Sequence, residues 1–408
     1  MSKLDELIKE LCPDGVEYKT LGEVCEFRAG WGFPEAEQGL MEGKYPFYKV
    51  GDMNNSEMFM DIANNYISEE TSKKLKCKPA PKGTIIFPKI GATMNTNKKR
   101  ILTKDSCYDN NVMGIIAKTV NDRFLYYFFS QYRLIDFAKG TGAVPSLDTN
   151  RLKNLELPVP PLPVQEEIVR ILDTFTELTT ELTAELTAEL TARRKQYEYY
   201  RDSLLTRDTK VEVKKLADIC KTTNNIKWKD EKGDYQYIDL TSVDRENHSI
   251  TETIRINSSN APSRAQQIVK ENDVLFGTTR PMLKRTAFIT KDFDNQICST
   301  GYCVLRADTE LVNPRYIYHQ ISTSDFYQYV EAHQQGASYP AISDSDVKKY
   351  TIPLPSLDVQ ERIVNVLDNF DAICSDLKIG LPAEIEARQK QYEYYRDKLL
   401  AFKRKEAV

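Results

Sequence analysis

The segment ARRKQYEYYRDSLL at residues 192–205 returns near the end of the chain as ARQKQYEYYRDKLL at residues 387–400, with 12 of 14 positions identical. The offset is 195 residues, and it also pairs VQEEIVRILDTF (164–175) with VQERIVNVLDNF (359–370) at 8 of 12 positions. Further upstream the same offset pairs VEYKTLGEVC (16–25) with VEVKKLADIC (211–220) at 5 of 10. Several matches in one register indicate an internal duplication, so one structural unit is written twice.

Between these matches the two copies diverge. Residues 45–50 (YPFYKV) resemble residues 235–240 (YQYIDL) at an offset of 190, and 140–147 (GTGAVPSL) align with 335–342 (QGASYPAI) at 195 again. The repeat therefore predicts two variable domains that alternate with two nearly constant segments. The predicted parts are a first variable domain with a short N-terminal helix, a central helical segment, a second variable domain and a C-terminal helical segment, at 1–157, 158–207, 208–352 and 353–408.

The variable parts are predicted to be α+β. Short runs of β-branched and aromatic residues bounded by Gly, Pro or Asn are typical of strands, and they occur at 84–87, 112–116, 274–276 and 302–305. Helices are expected at 122–138 and 313–331. The fold class that follows is two α/β domains alternating with two long helical segments, which pair as an antiparallel coiled coil with pseudo-twofold symmetry.

The constant segments are predicted to be helices. Residues 164–205 contain no Pro or Gly, so one continuous helix of about 60 Å is expected at about 1.5 Å per residue. Asp358 is a candidate N-cap for the second helix, and a break is expected at Gly380 and Pro382. The apolar stripe of the first helix is predicted to consist of Ile168, Leu172, Phe175, Leu178, Leu182, Leu186 and Leu190.

Composition places the chain among globular proteins, with 41% hydrophobic and 28% charged residues. The eight cysteines are scattered and only three histidines occur, which disfavours structural zinc and favours reduced, mostly buried thiols. No apolar run approaches the roughly 20 residues that span a bilayer, and residues 1–7 lack a signal-peptide core, so no membrane contact and a cytoplasmic location are expected. Because the net charge is −4, any binding to nucleic acid requires local positive charge or charge from partners.

The order VEYKTLGEV, VQEEIVRILDTF, TAEL units and RKQYEYYRDSLL resembles the specificity subunits of type I restriction–modification systems, most closely the branch that bears TAEL repeats. The resemblance covers essentially the whole chain. It implies that each variable part is a target-recognition domain for one half of an asymmetric bipartite site in double-stranded DNA. It further implies that the helices dock two modification (methyltransferase) subunits, which direct adenine methylation, or restriction together with restriction subunits. A related methylation-only or type IIB/IIG-like system is the alternative.

The TAEL units at 183–186 and 187–190, with a degenerate unit at 179–182, have two interpretations. One is a helical filler of low complexity. The other is a module that sets length, since four residues add about 6 Å of helix, or about two base pairs.

Candidate DNA contacts lie first in two basic loops at equivalent repeat positions. Residues 82–104 and 274–291 hold six and four basic residues and no acidic ones. Arg and Asn suit base edges, while Lys and Thr suit phosphate. The candidates in these loops are Lys89, Thr93, Asn95, Asn97, Lys98, Lys99, Arg100, Thr278, Thr279, Arg280, Lys284 and Arg285. A solvated loop without a ligand is the plainer alternative.

The early loops form a second candidate set, although their tryptophans fit loop packing at least as well. These residues are Arg28, Trp31, Asn224, Asn225 and Lys227. The small-residue stretches at 140–147 and 335–342 form a third, with structural turns as the alternative.

Candidate contacts with partner subunits are the tyrosine-rich ends of the two constant segments, because Tyr and Arg are enriched at interfaces. Half of them are expected to face the chain's own helices instead. The set is Tyr197, Tyr199, Tyr200, Arg201, Tyr392, Tyr394, Tyr395 and Arg396.

An enzyme with its own active site is disfavoured, so no catalytic or metal-binding residue is assigned. Asn313-Pro-Arg-Tyr lacks the second Pro of an amino-methyltransferase loop, and no P-loop pattern occurs. A helical scaffold unrelated to DNA is the third class. No cofactor is expected on this chain, and by resemblance S-adenosylmethionine, ATP and magnesium belong to the partner subunits.

Overall fold

The computed structural model describes residues 2–139, 145–206, 211–375 and 380–406. The chain divides into two compact units, of which the first comprises Met1–Glu181 with Arg388–Val408 and the second Leu182–Ala387. Each unit thus contains one variable domain and helical parts from both copies of the repeat. The bounds predicted from the repeat for the two variable domains and the two helical segments are not tested by this division, so they stay a prediction.

Twelve α-helices occur in the described residues. In chain order they are α1 (Lys3–Leu11), α2 (Leu21–Val24), α3 (Glu69–Lys74), α4 (Asp122–Ser130), α5 (Thr149–Lys153), α6 (Leu162–Leu205), α7 (Leu216–Ile219), α8 (Pro314–Gln320), α9 (Ser324–His333), α10 (Asp344–Lys349), α11 (Leu357–Ser375) and α12 (Leu381–Leu399). None of them is both long and apolar enough to cross a membrane. Short 3₁₀ turns, among them Gly91–Thr96 and Pro281–Leu283, interrupt the loops.

The strands of the first unit are β1 (Glu17–Thr20), β2 (Cys25–Ala29), β3 (Tyr45–Tyr48), β4 (Phe59–Met60), β5 (Tyr66–Ile67), β6 (Ile85–Pro88), β7 (Arg100–Leu102), β8 (Cys107–Tyr108), β9 (Val112–Ala117), β10 (Ala138–Lys139), β11 (Ser146–Leu147) and β12 (Glu156–Val159). They form a five-stranded sheet in the order β2-β9-β6-β7-β4 and a three-stranded sheet in the order β5-β3-β8. Two antiparallel pairs, β1-β12 and β10-β11, complete the unit.

The strands of the second unit are β13 (Val213–Lys215), β14 (Cys220–Lys221), β15 (Tyr235–Ile238), β16 (Ile254–Ile256), β17 (Ala265–Ile268), β18 (Val274–Gly277), β19 (Thr286–Phe288), β20 (Ile297–Ser299), β21 (Tyr302–Ala307) and β22 (Thr351–Pro353). Their sheets run β14-β21-β18-β19 and β16-β15-β20-β17, with β13 paired to β22. The order β14-β21-β18-β19 repeats the order β2-β9-β6-β7 of the first unit, and the pair β13-β22 repeats β1-β12, so the α+β fold and the duplication are confirmed. The four strands predicted from sequence correspond to β6, β9, β18 and β21.

Each unit has its own apolar core between a sheet and helices. In the first unit Phe87 of β6 meets Phe129 of α4 edge to face, with ring centroids 5.1 Å apart. In the second unit Phe276 of β18 meets Phe326 of α9 at 5.0 Å. Burial of each such ring stabilises the folded unit by about 1.5–3 kcal/mol, so these contacts contribute much of the packing energy between sheet and helices. Seven of the eight cysteines are also buried, as predicted.

Helix α6 is continuous over 44 residues, which confirms the predicted helix and gives a length of about 66 Å. In the first unit its Phe175 lies against Tyr395 of α12, with ring centroids 6.1 Å apart. In the second unit its Tyr200 stacks on Phe370 of α11 at 5.5 Å. These two contacts are equivalent through the 195-residue offset. In each unit, therefore, the start of one constant segment pairs with the end of the other.

Four details of the helix predictions were wrong. Phe175 and Leu178 of the predicted apolar stripe are 36% and 56% exposed, because two steps of three residues rotate Leu178 by about 120° away from the buried Leu172. Helix α11 begins at Leu357, so Asp358 lies inside the first turn and is not the N-cap. The predicted helix 313–331 is two helices, α8 and α9. The predicted helix 122–138 ends at Ser130 and is followed by a 3₁₀ turn at Leu134–Phe137.

The break predicted at Gly380 and Pro382 is confirmed, since α11 ends at Ser375 and α12 starts at Leu381. Residues 376–379 lie outside the described residues.

Candidate nucleic-acid interface

The two basic loops follow equivalent strands and are fixed in the same way. In the first unit the Gly91 N–H donates to the Pro145 carbonyl at 2.7 Å. In the second unit the Arg280 N–H donates to the Pro340 carbonyl, also at 2.7 Å. Each loop is thus tied to the small-residue stretch predicted as the third candidate set. The two basic loops therefore occupy equivalent positions in their units, as the repeat predicted. Residues 140–144 of the first small-residue stretch lie outside the described residues.

Four residues of the first basic loop are accessible for a ligand. Asn95 is exposed, and Lys89, Thr93 and Lys98 are half-buried. Burial lowers the pKa of Lys89 below its usual value. The Thr93 hydroxyl donates to a backbone carbonyl of its own turn, which leaves its oxygen able to accept.

Three other candidates of this loop have structural roles, and we correct their assignment. The Lys99 ammonium is buried and donates to the Asn97 side-chain oxygen at 2.9 Å and to the Tyr132 carbonyl at 2.7 Å. Burial, reinforced by the charge of Arg396, lowers the pKa of Lys99 to about 7. Asn97 itself adopts a left-handed backbone with φ 52° and has its side-chain oxygen occupied.

The third of these residues is Arg100. Its guanidinium donates to three backbone carbonyls, those of Ser56 (2.7 Å), Lys99 (2.8 Å) and Met53 (3.2 Å). Such a guanidinium fixes the neighbouring loop at 50–56 and has few donors left for a base.

In the second basic loop the exposed cations among the candidates are Arg280 and Lys284. Thr279 is half-buried, while Thr278 is buried and donates its hydroxyl to the Gly301 carbonyl at 2.9 Å. Arg285 is half-buried, and its Nε has no hydrogen-bond partner among the described residues. The prediction for Thr278 is corrected to a structural role, because its only polar atom is occupied inside the fold.

The early loops differ between the two units. In the first, Arg28 is tied to Glu26 by an ion pair of 2.6 Å and donates to the Pro79 carbonyl at 3.1 Å. Trp31 is half-buried against Tyr108, with ring centroids 5.9 Å apart. We therefore correct the assignment of Arg28 to a structural role. Trp31 also has a structural role, in agreement with the loop-packing alternative given for the tryptophans.

In the second unit the early loop is open to solvent. Asn224, Asn225 and Lys227 are all exposed. The neighbouring Trp228 donates its indole N–H to the Ala265 carbonyl at 2.7 Å and packs in the loop. The three exposed side chains stay candidates for DNA.

The tyrosines predicted to bind partners fall into two groups. Tyr197 and Tyr392 point into their own units, where Tyr197 bonds to His319 at 3.0 Å and Tyr392 to Thr176 at 3.0 Å. The outward group is 40–70% exposed and consists of Tyr199, Tyr200, Tyr394 and Tyr395. Two of these exposed rings also contact the chain's own helices, since Tyr200 stacks on Phe370 and Tyr395 packs against Phe175. Which of the six tyrosines bind a partner stays a prediction.

The two arginines of this set are largely covered by their own chain. The side chains of Arg201 and Arg396 are 9% and 11% exposed, and each is paired with the aspartate that follows it. We correct both assignments, because the packing of the helices leaves little of either guanidinium to an external partner.

Polar networks that the sequence reasoning missed join each variable domain to its helix. In the first unit Asp173 of α6 accepts from Arg123 at 2.5 Å and from Tyr127 at 2.7 Å. In the second unit Asp368 of α11 accepts from Arg315 at 2.6 Å and from His319 at 2.7 Å. The signal available in the sequence was the aspartate shared by VQEEIVRILDTF and VQERIVNVLDNF.

The proton positions in the second network follow from charge. Burial lowers the pKa of His319, so its ring is neutral at pH 7. A carboxylate only accepts, so the His319 Nε2 carries the proton toward Asp368 and its Nδ1 accepts from Tyr197. Burial opposes ionisation of Asp368, but the bonds from His319 and Arg315 outweigh it and lower the pKa of that carboxyl.

Comparison with known proteins places the chain in a family. The family model described as the type I restriction modification DNA specificity domain matches residues 13–192 and again 209–387. The EcoR124I/EcoR124II specificity subunit of Escherichia coli is 34% identical over 325 residues, which cover 74% of each chain. A putative type I restriction enzyme specificity subunit of Haemophilus influenzae is 32% identical over 400 residues, covering 95% of this chain and 96% of the relative.

Among solved structures, the HsdS subunit from Thermoanaerobacter tengcongensis is 34% identical with a TM-score of 0.37, and the match covers 46% of each chain. The double match of the family model reproduces the duplication found in the sequence. It also agrees with the assignment of DNA specificity, and not catalysis, to this chain. The chain belongs to the family of type I restriction–modification specificity subunits.

Proposed function

We propose that each variable domain reads one half of a bipartite DNA site through its basic loop, and that the two half-sites differ. The proposal rests on one observation about the two basic loops. They are fixed in equivalent ways, but they present different accessible side chains. The first presents Lys89, Thr93, Asn95 and Lys98, and the second presents Thr279, Arg280 and Lys284. A shared frame with different contacts is what an asymmetric site requires.

The constant helices serve a second role in this proposal, which is to dock two modification subunits. Exposed aromatic side chains are enriched at such interfaces, and each unit offers an equivalent pair of them, Tyr199 with Tyr200 and Tyr394 with Tyr395. Restriction subunits join through the modification subunits. In this proposal the length of α6 sets the unread spacer, which is the second of the two interpretations of the TAEL units.

The half-site assignment is tested in a host without other adenine methylation that expresses the full chain with its modification subunits. Single-molecule sequencing of methylated adenines gives the motif. Asn95→Ala should degrade one position of one half-site and leave the other half-site intact. Asn154→Ala, an exposed asparagine after α5, is the matched control and should leave the motif unchanged. A motif unchanged by Asn95→Ala and by alanine at the other exposed loop residues would refute the proposal.

The docking role is tested by native mass spectrometry of the purified complex. Two modification subunits per chain are expected, and Tyr199→Ala with Tyr394→Ala should weaken both binding events. Saturation at one modification subunit would contradict the proposal.

A further inference from the structure

The candidate arginines differ in what their guanidinium donors do. The guanidinium N–H groups of Arg28 and Arg100 donate to acceptors within the protein. The Arg280 guanidinium is exposed, and within the described part of the chain it forms no hydrogen bond or ion pair. Its central carbon lies instead 4.2 Å from the centroid of the Tyr339 ring, which is itself 70% exposed.

This stacking fixes the arginine without using its donors. A guanidinium above an aromatic ring interacts through its flat face, so its N–H groups remain directed outward in the plane. An exposed arginine loses much rotamer freedom when it binds a ligand. Because Tyr339 already restricts Arg280, less of that freedom remains to be lost.

The backbone fixes the same side chain a second time. Arg280 has φ 50° and Lys284 has φ 54°, two left-handed residues on either side of the 3₁₀ turn Pro281–Leu283. A non-glycine residue in this region is strained and persists only where its surroundings impose the conformation. Here the Arg280 N–H is bonded to the Pro340 carbonyl, next to Tyr339.

We propose that Arg280, held by Tyr339, reads one guanine in the half-site of the second variable domain. The planar fork of its N–H groups matches the O6 and N7 acceptors of guanine in the major groove. A phosphate contact does not need a fixed planar orientation, and the flexible, exposed Lys284 suits that role better. The inference rests on the proposed function, since it assumes that this loop faces DNA.

The repeat makes the contact specific to one half-site. β6 and β18 are offset by 189 residues, so Arg280 corresponds to Gly91 in the first unit, whose N–H makes the equivalent bond. Gly91 has no side chain that could contact a base. The counterpart of Tyr339 is Val144, which lies outside the described residues but is not aromatic. Only the second half-site therefore gains this guanine.

The experiment maps methylated adenines in the same host, with the full chain and its modification subunits. Arg280→Ala and Arg280→Lys should each make a single guanine position degenerate, reducing its preference by about tenfold to a hundredfold. The other half-site and the spacer should stay unchanged. Tyr339→Leu should relax the same position less, and Tyr339→Phe should keep it. Arg255→Ala, an exposed arginine on β16 of the same unit, is the control and should keep the wild-type motif.

Several outcomes would overturn the inference. Full guanine preference in Arg280→Lys, or equal weakening at every position, would mean that Arg280 contacts phosphate or nothing. The inference would also fail if the wild-type motif contained no guanine in the half-site that the second variable domain reads. If Asn95→Ala degrades a half-site while both Arg280 variants change nothing, only this inference fails. If no loop variant alters a half-site, the proposed function fails with it. Thermal unfolding of Arg280→Lys checks that its fold is retained.

Discussion

At the scale of single residues, two buried glutamines hold the variable domains on their helices. The Gln165 amide donates to the Pro160 carbonyl at 2.7 Å, and its oxygen accepts from the Asn121 N–H at 2.8 Å. Gln360 makes the equivalent bonds to Pro355 and Asn313, both at 2.8 Å. Both side chains are essentially inaccessible to solvent, so no water replaces these bonds if a side chain is lost.

Gln165→Leu should therefore lower the free energy of unfolding by about 1–3 kcal/mol, because a buried N–H and a buried carbonyl lose their partners. Gln360→Leu should have a similar effect. Urea unfolding followed by circular dichroism measures both. The neighbouring Glu166 is exposed, so Glu166→Gln is the control and should change stability little. A loss below about 0.5 kcal/mol in both leucine variants would contradict the role assigned to the amides.

Lys99 makes stability depend on pH. Its pKa falls from 10.5 to about 7 in the folded chain. Below pH 7 both folded and unfolded chains hold the proton, so its desolvation penalty is fully present. Above pH 7 the folded chain releases the proton first, so the penalty declines as pH rises toward 10.5.

The free energy of unfolding of Lys99→Met minus that of wild type should accordingly fall by about 1–3 kcal/mol between pH 7 and pH 9. Urea titrations at several pH values give this difference, in which other titrating groups cancel. A difference that stays constant over this pH range would show that the folded Lys99 keeps its ordinary pKa.

Residues such as Lys99 and Arg100 mark the limit of prediction from charge. The sequence showed a cationic stretch correctly, but the acceptors that bind these two side chains come from remote positions. Tyr132 lies 33 residues from Lys99, and Ser56 lies 44 from Arg100. A pattern along the chain does not contain such contacts. Asn95 and Arg280 stay candidates because, within the described residues, neither side chain forms a hydrogen bond or an ion pair.

At the scale of elements, α6 was predictable because a long stretch without Pro or Gly has no local alternative to helix. The start of α11 was placed wrongly because acidic residues are favoured both at the N-cap and in the first turn, where they interact with the helix dipole. Asp358 occupies the first turn, so composition alone did not distinguish the two positions.

Helix α6 gives a prediction of its own. Deletion of residues 187–190 shortens the helix by about 6 Å and changes its phase by only about 40°, since four residues make slightly more than one turn. The unread spacer should shorten by about two base pairs while both half-sites keep their sequence. Mapping of methylated adenines measures this directly.

A two-residue deletion at 188–189 is the control for helix phase. It changes the phase by about 200° and should abolish methylation of any bipartite site. An unchanged spacer in the four-residue deletion, or altered half-sites, would refute the length-setting interpretation of the TAEL units.

At the scale of the whole molecule, each core is closed by the end of the other repeat copy. Leu400 is 3% exposed in the core of the first unit, and its repeat equivalent Leu205 is 4% exposed in the core of the second. The sequence predicted that the helical segments of the two copies pair with each other. A continuous α6 has no break at which residues 164–175 could fold back on residues 192–205. The sequence did not predict which core each leucine completes, since both segments have nearly the same sequence.

Leu400→Ala should destabilise the first unit and Leu205→Ala the second, each by about 2–5 kcal/mol. Hydrogen–deuterium exchange with peptide mapping should show the loss of protection in residues 2–181 for Leu400→Ala and in 211–375 for Leu205→Ala. Leu204→Ala is the control, as Leu204 is 41% exposed. Loss of protection confined to the helix that carries the substitution would contradict the division into these two units.

The position of residues 388–408 in the first unit has a consequence for biosynthesis. The Val16 N–H donates to the Lys403 carbonyl, and the Lys405 N–H donates to the Val16 carbonyl, both at 2.9 Å. The second unit is built from one uninterrupted stretch and can close while translation continues. Residues 2–181 of the first unit are synthesised before the second unit, yet their core waits for residues 388–408, which are synthesised after it. Of the two units, the one begun first is therefore completed second, and during that interval its unfinished core exposes apolar surface that is prone to aggregate.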